Sequence, residues 1–426
     1  MELKVKKIEL FHVSIPLPKN FYPSWIPGYP QGFNRFTLIR LTTDDGFQGY
    51  SAGIAMEEER EGLGSLVGPY LIDQVVENID DVNQRLREAS FLGWRNNWIE
   101  AAFWDLLGKK EGKPLYRLLG GEGGRLPTYC STGEVREPGK RADEVLALKD
   151  MGFNSVKLRV HDFDLEDDIA QIKEVRRAVG DDMEIGVDAN QGWRVAAIKD
   201  APLWDLERAT EFAKACEEYN ISWLEEPLDM YAFDDMAELR RRTTTPISGG
   251  ELTPGLHEHM TMLEKGSLDI YQPDACFCGV STSLRIMQEV NKQGLKFKPH
   301  TWTNGIGFAI NLHIAAANPQ RLPLEFPYEP PAWTPRYRDG ILVRPFMVDK
   351  EGCVSIPEKP GLGIDINPRA LKKFGRKFYE MTPAKLAVST VRNRGIRNAL
   401  ELAKAKKGDS SLLDKIESMA PENSEK

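Results

Sequence analysis

Three carboxylates close consecutive short apolar runs in the middle of the chain. Asp188 ends EIGVD, Glu225 ends ISWLE and Glu251 ends PISGGE. If these runs are neighbouring strands of a parallel sheet, about 4.8 Å apart, their carboxylates converge on one point. Oxygen ligands of this kind select Mg²⁺, or Mn²⁺, over zinc. Any one carboxylate alone would fit a helix cap or a pairing with arginine, but three at equivalent positions predict a divalent metal site.

Lys157 and Arg159 lie two residues apart in SVKLRV, so they share one face of the predicted strand. If Leu158 faces outward, both cations point into the interior of the fold. Buried cations need negative partners, which the metal site and a substrate carboxylate would supply. The alternative, a strand at a solvated edge, fits poorly with a run in the middle of the series. We therefore predict that both cations belong to a catalytic site.

Asp274 and His300 close the sixth and seventh of these runs, and Glu325 lies in the eighth. A carboxylate beside an imidazole fixes its tautomer and raises its pKa, which suits a general base or acid. Glu325 would face the ion from across the site, as a hydrogen-bond donor or as an electrostatic partner of a developing oxyanion. For Glu325, a structural pairing with an arginine is an almost equally good interpretation.

The chain must bring all these side chains to one edge of a single sheet. Short apolar runs alternate with helical stretches, at 126–131, 155–160, 184–190, 221–227, 246–251, 268–274, 295–300 and 322–326. Eight such runs predict an α/β fold with a parallel barrel rather than a sandwich. In a barrel of this kind, catalytic groups sit at the carboxyl ends of the strands, which is where the charged residues fall.

The first third of the chain has a different pattern. Residues 4–15 and 35–50 alternate in polarity as strands do, with a hairpin turn at Asp45-Gly46, and residues 57–119 have helical spacing. The loop 16–34 between the two strands is rich in proline, glycine and aromatic residues. Its aromatic content favours a cover over a pocket, with a disordered connector as the alternative.

The composition narrows the class of partner and the compartment. The net charge of -8 provides no basic field that would attract nucleic acid or an anionic membrane. The sequence contains neither an apolar run long enough to span a bilayer nor a signal-peptide core. Five cysteines in 426 residues do not indicate a disulfide framework. These features predict a cytoplasmic protein that acts on a small molecule.

Several motifs together resemble the enolase superfamily, and within it the mandelate racemase-like subgroup, over about residues 1–370. They are AAFWDLLGKKEGKPLYRLLGG, VKLRV, VDANQGW, WLEEP, GGE, QPD and PHTWTNGIG. The resemblance implies a modified (β/α)₇β TIM barrel under an N-terminal α+β capping domain. We accordingly expect the cap at 1–125, with 16–34 as its lid loop, and the barrel at 126–365. Residues 366–426 should complete the cap and continue as a charged tail with helical patches at KKFGRKFYE and RNALELAKAKKG.

Carried over motif by motif, the resemblance also implies roles for individual residues. The implied roles are Mg²⁺ ligands at Asp188, Glu225 and Glu251, the first cation of a K-x-K motif at Lys157, a catalytic pair at His300 and Asp274, and Glu325 opposite the metal. In sites of this superfamily, a lysine or histidine base works beside Mg²⁺ that stabilises an ene-diolate. The implied substrate is therefore a carboxylate that loses its α-proton.

Arg159 departs from the pattern of the racemases in this family, which have a second lysine at that position as the base on the opposite face. A guanidinium stays protonated and is a poor base. This favours a one-sided reaction, in which His300 takes the α-proton and then protonates a departing β-hydroxyl. We therefore predict a Mg²⁺-dependent dehydratase that converts an acid sugar, an aldonate or aldarate, to a 2-keto-3-deoxy acid.

Several alternatives remain open at this point. One is a racemase or epimerase of a 2-hydroxy acid or N-acyl amino acid. Another keeps dehydration but makes Lys157 or a perturbed Arg159 the base, with His300 acting only as the acid. Lactonisation of a muconate-like diacid is disfavoured because the lactonising relatives rely on a lysine where this chain has Asp274. The alternative from another class is a metal-binding barrel without catalysis.

The substrate contacts are predicted only in outline. Trp25, His161, Asn190 and Thr301 are expected near the mouth of the barrel, where they would contact the hydroxyls of the substrate. Asn190 has an alternative role in orienting a metal ligand. We expect the loop 16–34 and the loop after residue 51 to set stereochemistry. The family resemblance further implies a homo-oligomer built from dimers, up to an octamer.

Overall fold

The computed structural model of the chain describes residues 3–54, 68, 71–91, 96–196 and 198–407. Its first sheet has four antiparallel strands in the order β13-β1-β2-β3. They are β1 (Val5–Phe21), β2 (Gln31–Thr43), β3 (Gln48–Ile54) and β13 (Gly375–Met381). The helices that follow β3 are α1 (Ile79–Phe91), α2 (Glu100–Glu111) and α3 (Leu115–Leu118). Apolar residues that alternate along the strands, such as Leu10 and Leu41, share a core with Phe103 of α2.

The hairpin of β1 and β2 corrects the prediction of a loop at 16–34. The pairing of the two strands continues from Val13–Phe36 through Pro16–Phe33 to Phe21–Gln31, so that only residues 22–30 form the turn. Strand β13 pairs with β1 no further than Val13. The far half of β1 therefore lies at a sheet edge, where proline is tolerated. Pro16 and Pro18 belong to this edge strand, and the other three prolines of the segment lie in the turn.

The C-terminal segment adds a strand to the first sheet. The predicted helical patch KKFGRKFYE is helical only in α13 (Pro368–Phe374), because β13 begins at Gly375 and alternates against β1. The tail then continues as α14 (Pro383–Lys407), which bends at Gly395, where φ is 80°. The first residues of the predicted helical region, 57–67, and the end of the tail, 408–426, lie outside the described residues.

Eight parallel strands form the second sheet and fall on the eight predicted runs. They are β4 (Arg125–Ser131), β5 (Ser155–Arg159), β6 (Glu184–Asp188), β7 (Trp223–Glu225), β8 (Ile247–Gly249), β9 (Ile270–Tyr271), β10 (Lys296–Phe297) and β11 (Leu324–Pro327). Their order is β10-β9-β8-β7-β6-β5-β4-β11. The predicted fold class, a (β/α)₇β barrel with an N-terminal cap, is confirmed.

Helices connect these strands and cover the barrel. They are α4 (Pro138–Asp150), α5 (Leu165–Val179), α6 (Leu206–Glu218), α7 (Phe233–Arg242), α8 (Leu256–Lys265), α9 (Ala275–Cys278), α10 (Val280–Lys292) and α11 (Gly305–Ala317). After β11 come α12 (Pro335–Arg338) and β12 (Cys353–Ser355), and β12 pairs antiparallel with β4. Every described helix is too short or too polar to cross a bilayer.

Side chains bridge the two ends of the barrel sheet, β10 and β11. The backbone N–H of Thr301 donates to Glu325 Oε2 at 2.7 Å, and the Thr301 hydroxyl donates to the Glu325 carbonyl at 2.7 Å. Asn318 Nδ2 donates to the carbonyl of Phe297 at 3.1 Å. These bonds close the barrel between β10 and β11, the two end strands of the sheet, and fix Glu325 at the mouth.

All five cysteines of the chain carry free thiols. The four buried ones are Cys130, Cys216, Cys276 and Cys278. Burial raises the pKa of each of these four thiols. They therefore pack as small apolar side chains rather than as reactive thiolates.

A buried histidine should make the fold sensitive to acid. His313 of α11 accepts a hydrogen bond from the backbone N–H of Tyr116 at 3.2 Å and donates to the Leu362 carbonyl at 3.1 Å, so the ring is neutral. Burial lowers its pKa to about 4. Because the unfolded chain binds this proton more tightly, the stability that the neutral ring contributes is present above about pH 6.5 and is lost as the pH falls towards 4. We expect this group to cost about 3 kcal/mol of unfolding free energy over that range.

Urea unfolding of the wild type and of His313→Gln between pH 4 and 7 tests this expectation. The variant should show a shallower fall in stability as the pH decreases. Ile314→Val, a neighbouring change in the same buried helix, should instead lower stability by about 1 kcal/mol at every pH. Parallel pH profiles for the wild type and His313→Gln would contradict the assignment.

Candidate active site

The carboxyl ends of β5 to β8 bring the predicted metal-site residues together. Arg159 is in register with Asp188, and Asp188 is in register with Glu225, so these three side chains lie side by side. Glu251 follows β8 after Gly250, which has a left-handed φ of 99°. A residue without a side chain at Gly250 lets the chain turn so that Glu251 joins the row.

The three predicted metal ligands form one cluster. One oxygen from each of Asp188, Glu225 and Glu251 lies within 4.8 Å of the others, and all three side chains are buried. Glu225 Oε2 also accepts hydrogen bonds from Trp223 Nε1 at 3.2 Å and from Gln272 Nε2 at 2.8 Å. Neighbours that hold a carboxylate in this way preorganise it for a cation.

The charge of the cluster fits a divalent cation. Five carboxylates contact the cations of the site: Asp188, Glu225, Glu251, Asp274 and Glu325. The cations are three, namely Lys157, Arg159 and, when protonated, His300. With all five carboxylates ionised and His300 protonated, the negative charges exceed the positive ones by two, and one Mg²⁺ or Mn²⁺ would balance them. The all-oxygen donor set suits these hard ions.

Lys157 lies at the centre of the site and is fully buried. Its Nζ is 2.5 Å from Glu225 Oε1, 2.9 Å from Glu325 Oε1 and 3.3 Å from Asp188 Oδ2. Burial alone lowers the pKa of Lys157, but these carboxylates outweigh it and hold the pKa well above its usual value. Lys157 is therefore a permanent positive charge beside the predicted metal ligands.

Arg159 is held on every side. Its Nε donates to the Thr132 carbonyl at 2.7 Å, Nη2 donates to Ser131 Oγ at 3.3 Å, and Nη1 donates to Asp188. Burial lowers its pKa, but the carboxylates of the site, Asp188 first, raise it above the usual value. A guanidinium bound in this way stays protonated.

The predicted pair of Asp274 and His300 is formed. His300 Nδ1 lies 2.9 Å from Asp274 Oδ2, while Asp274 Oδ1 accepts from Cys276 N and from Asn311 Nδ2, both at 2.7 Å. Nδ1 is thus the nitrogen that donates to Asp274, and Nε2 faces Glu251 Oε2 at 3.3 Å. Burial lowers the pKa of His300, but Glu251, Glu325 and Asp274 together raise it to about 10.

Glu325 acts in this structure as an acceptor. It accepts from Thr301 N at 2.7 Å and lies 2.9 Å from Lys157 Nζ. Burial raises its pKa, but Lys157, His300 and Arg159 overcome this and keep the pKa well below its usual value. Of the two roles expected for Glu325, the geometry favours the electrostatic partner over the hydrogen-bond donor.

The four residues predicted to contact substrate differ in their surroundings. The Trp25 ring lies over Arg159 with the guanidinium carbon 5.2 Å from the ring centroid. The backbone N–H of Asn190 donates to Asp188 Oδ1 at 2.8 Å, and its side-chain oxygen accepts from Ser24 Oγ. The Thr301 hydroxyl already donates to the Glu325 carbonyl where the barrel closes. His161 Nδ1 lies 3.1 Å from the Ala189 carbonyl. Contact with a substrate stays a prediction for all four.

Sequence reasoning missed several residues that hold the site. Gln272 could have been found, because it lies two residues before Asp274 in QPD and so shares its face of the strand. Asn311 projects from α11, and Ser24 Oγ of the β1–β2 turn donates to Asn190 Oδ1 at 2.6 Å from 166 positions away. No local pattern points to contacts of this range.

Fold and site together define a class of protein, a capped TIM-barrel enzyme with a buried cluster of three carboxylates that could hold a metal ion. Comparison with known families agrees. Residues 140–370 match the enolase C-terminal domain-like family, and residues 18–120 match the mandelate racemase / muconate lactonizing enzyme N-terminal domain. The chain belongs to the enolase superfamily, in its mandelate racemase-like subgroup.

Individual relatives differ in the reactions that their names describe. The chain is 28% identical to arabinonate dehydratase of Saccharolobus solfataricus over 364 residues. The alignment covers 82% of this chain and 93% of the relative. The chain is 31% identical to D-galactarolactone cycloisomerase of Agrobacterium fabrum, over 79% of this chain and 90% of the relative. Among solved structures, a member of the enolase superfamily from Polaromonas sp. JS666 is 25% identical, with a TM-score of 0.76 over 87% of this chain and 97% of that one.

A further solved structure contains a metal and an acid sugar. L-talarate dehydratase from Polaromonas sp. JS666, complexed with Mg and L-glucarate, has a TM-score of 0.74 at 24% identity and covers 89% of this chain and 99% of its own. At this identity the likeness establishes the shared fold alone. The relatives thus identify an enzyme family that includes acid-sugar dehydratases, cycloisomerases and racemases.

Proposed function

We propose that the protein is a Mg²⁺-dependent dehydratase that converts an acid sugar to a 2-keto-3-deoxy acid. The observation that carries the proposal is the state of Arg159. All three of its nitrogens donate hydrogen bonds, and one of them contacts Asp188. A two-base racemase needs a proton acceptor on each face of the α-carbon, and a guanidinium held as a permanent cation does not serve as one.

His300 is the remaining candidate for proton transfer. Glu251, a predicted metal ligand, is the first of the carboxylates that raise the pKa of His300, and a cation bound there would oppose that effect and favour the neutral imidazole that accepts a proton. Its Nδ1 is tied to Asp274, so Nε2 is the atom that takes the proton from the carbon next to the substrate carboxylate. The same imidazolium then returns that proton to the β-hydroxyl, which leaves as water. The resulting enol tautomerises to the 2-keto acid. One residue thus acts as base and then as acid, which suffices for elimination on one face, whereas racemisation needs a proton-transfer group on each face.

The remaining charged residues of the site stabilise the negative charge that develops on the substrate, or hold the groups that do so. Loss of the α-proton gives the substrate carboxylate a second negative charge, which the buried Lys157 ammonium opposes. Glu225 and Glu325 hold that ammonium in position. Asp188, Glu225 and Glu251 would hold Mg²⁺, which when bound supplies further positive charge at the substrate carboxylate. Mn²⁺ would fit the same oxygen ligands.

The relatives support the class of substrate. Arabinonate dehydratase and L-talarate/galactarate dehydratase are each 28% identical to the chain. Both names describe removal of water from a sugar acid. The relatives also include a cycloisomerase and a racemase. Cycloisomerisation and racemisation are therefore the alternative reactions against which dehydration is tested. A dimer-based homo-oligomer and a cytoplasmic location stay predictions.

The proposal is tested by incubating purified protein and Mg²⁺ with a stereochemically complete set of aldonic and aldaric acids and measuring 2-keto products. We expect one acid or a few related acids to react, and EDTA to abolish the reaction until Mg²⁺ is restored. Exchange of the α-proton in D₂O without any 2-keto product would instead identify a racemase or epimerase. If neither a 2-keto product nor α-proton exchange is detected, with these acids or with 2-hydroxy and N-acyl amino acids, the result would support the non-catalytic alternative.

A further inference from the structure

Four aromatic rings form a wall at the mouth of the barrel. Phe21 and Trp25 come from the tip of the β1–β2 hairpin, Trp302 follows β10 and Trp333 follows β11. Neighbouring ring centroids are 5.3 to 5.9 Å apart, as in a packed aromatic cluster. We call these four residues the aromatic wall.

The wall lies directly against the predicted catalytic residues. The guanidinium carbon of Arg159 is 5.2 Å from the Trp25 ring and 5.3 Å from the Trp302 ring, so the two indoles cover the cation. Trp302 is also two residues beyond His300. We therefore place the part of the substrate beyond the α-carbon beside the wall.

The hairpin that carries half of the wall is bonded to the barrel. Ser24 Oγ donates to Asn190 Oδ1 at 2.6 Å, and Ser24 N donates to the Gly133 carbonyl at 2.9 Å. Tyr22 N donates to Glu134 Oε1 at 2.8 Å. With the turn held at two places on the barrel, the aromatic side chains stay over the site.

Among the residues that the structure describes, no buried cation beside the wall is left to bind a second carboxylate. The turn residues YPSWIPGYP contain neither lysine nor arginine, and each nitrogen of Arg159 is already engaged. Among the described residues nearby, Arg136 pairs with Glu329, and Lys199, beside Gly28, is exposed to solvent. The faces of aromatic rings carry negative potential, so an unpaired carboxylate placed against them loses hydration without gaining a partner.

The wall presents neutral ring faces to the site. The rings of Trp25 and Trp302 lie over Arg159, whereas the indole Nε1 atoms of Trp302 and Trp333 are buried among protein atoms. Ring faces of this kind pack against the C–H side of a sugar chain. The distal part of the site therefore suits an uncharged hydroxylated chain.

From these observations we infer that the substrate is a monocarboxylate of the aldonate type and not a diacid of the aldarate type. The inference rests on the proposed dehydratase function and narrows its substrate class. The single carboxylate lies at the metal cluster and Lys157, and the uncharged end lies along the aromatic wall.

Matched pairs of acids that differ only in the distal group test the inference. D-gluconate with D-glucarate, and D-galactonate with galactarate, are compared by 2-keto acid formation with Mg²⁺, together with the other stereoisomers. For the configuration that reacts, kcat/KM should be at least about tenfold higher for the monoacid. A smaller ratio, or a preference for the diacid, overturns the inference while leaving the dehydratase proposal intact. If no acid of either class reacts, the dehydratase proposal fails and this inference fails with it.

Two variants test whether the aromatic wall causes the preference for the monoacid over the diacid. Trp25→Lys adds a cation at a half-buried position, whereas Trp25→Phe keeps the wall neutral, and a melting curve checks that both remain folded. We expect Trp25→Lys to shift the ratio of kcat/KM towards the diacid by about tenfold, mainly through a lower KM for the diacid. Trp25→Phe should leave the ratio unchanged. An equal shift in both folded variants would overturn the role of the uncharged wall.

Discussion

Replacing His300 with asparagine should lower kcat for dehydration by about 10³- to 10⁴-fold and abolish exchange of the substrate α-proton in D₂O. Asparagine can still donate to Asp274, which lies 2.9 Å from His300 Nδ1, but it cannot carry a proton. Binding of Mg²⁺ should remain close to that of the wild type, because the three predicted ligands are untouched. The measurements are steady-state rates, α-proton exchange followed by NMR, and calorimetric titration with Mg²⁺.

A matched control exists in the same chain. His161 is a second histidine near the site, but its Nδ1 faces the Ala189 carbonyl instead of a carboxylate. His161→Asn should therefore retain proton exchange and kcat for dehydration, and its predicted contact with the substrate would show as a higher KM. If His300→Asn loses dehydration but still exchanges the α-proton, then Lys157 or Arg159 is the base and His300 serves only as the acid.

Replacing Glu225 with glutamine should weaken Mg²⁺ binding by at least about 100-fold and remove activity at millimolar Mg²⁺. Glu225 is the central member of the cluster, because its strand lies between those of Asp188 and Glu251. Glutamine has nearly the same shape but takes one negative charge from the site. It also weakens the hold on Lys157, whose Nζ lies 2.5 Å from Glu225 Oε1.

Titration with Mg²⁺, read both by heat and by activity, checks this expectation. Glu184→Gln is the matched control, because Glu184 is an exposed residue at the opposite end of β6, the strand that ends at Asp188. The control should bind Mg²⁺ as the wild type does. Wild-type affinity in a folded Glu225→Gln would exclude Glu225 as a ligand.

The barrel and the charged centre of the site could be predicted because each depends on a local pattern repeated along the chain. Asp188, Glu225 and Glu251 each end a short apolar run, and the register of a parallel sheet converts that repetition into proximity. The same rule explains why Asp274 and His300 meet across neighbouring strands. The residue that ends a strand can be identified in the sequence, and the order of the strands then predicts which of these residues are neighbours.

The errors arose where tertiary context decides between local preferences. Residues 16–21 were predicted as loop because of their prolines, yet the edge position of that part of β1 tolerates them. Gly375 begins a strand in a stretch predicted as helical, because β1 provides a partner more than 350 positions away. Contacts such as Ser24 with Asn190 could not be predicted, since neither residue carries a signal of the other.

The position of β1 between β2 and β13 has a consequence for the order in which the protein assembles. Strand β1 pairs on one side with residues 31–43 and on the other with residues 375–381. During synthesis, β1 is made before the barrel strands and β13 after them, so the sheet is completed only when β13 has been made. The hairpin tip that covers the barrel mouth is an extension of β1. We therefore expect the cap and the covered site to mature late, after the barrel has left the ribosome.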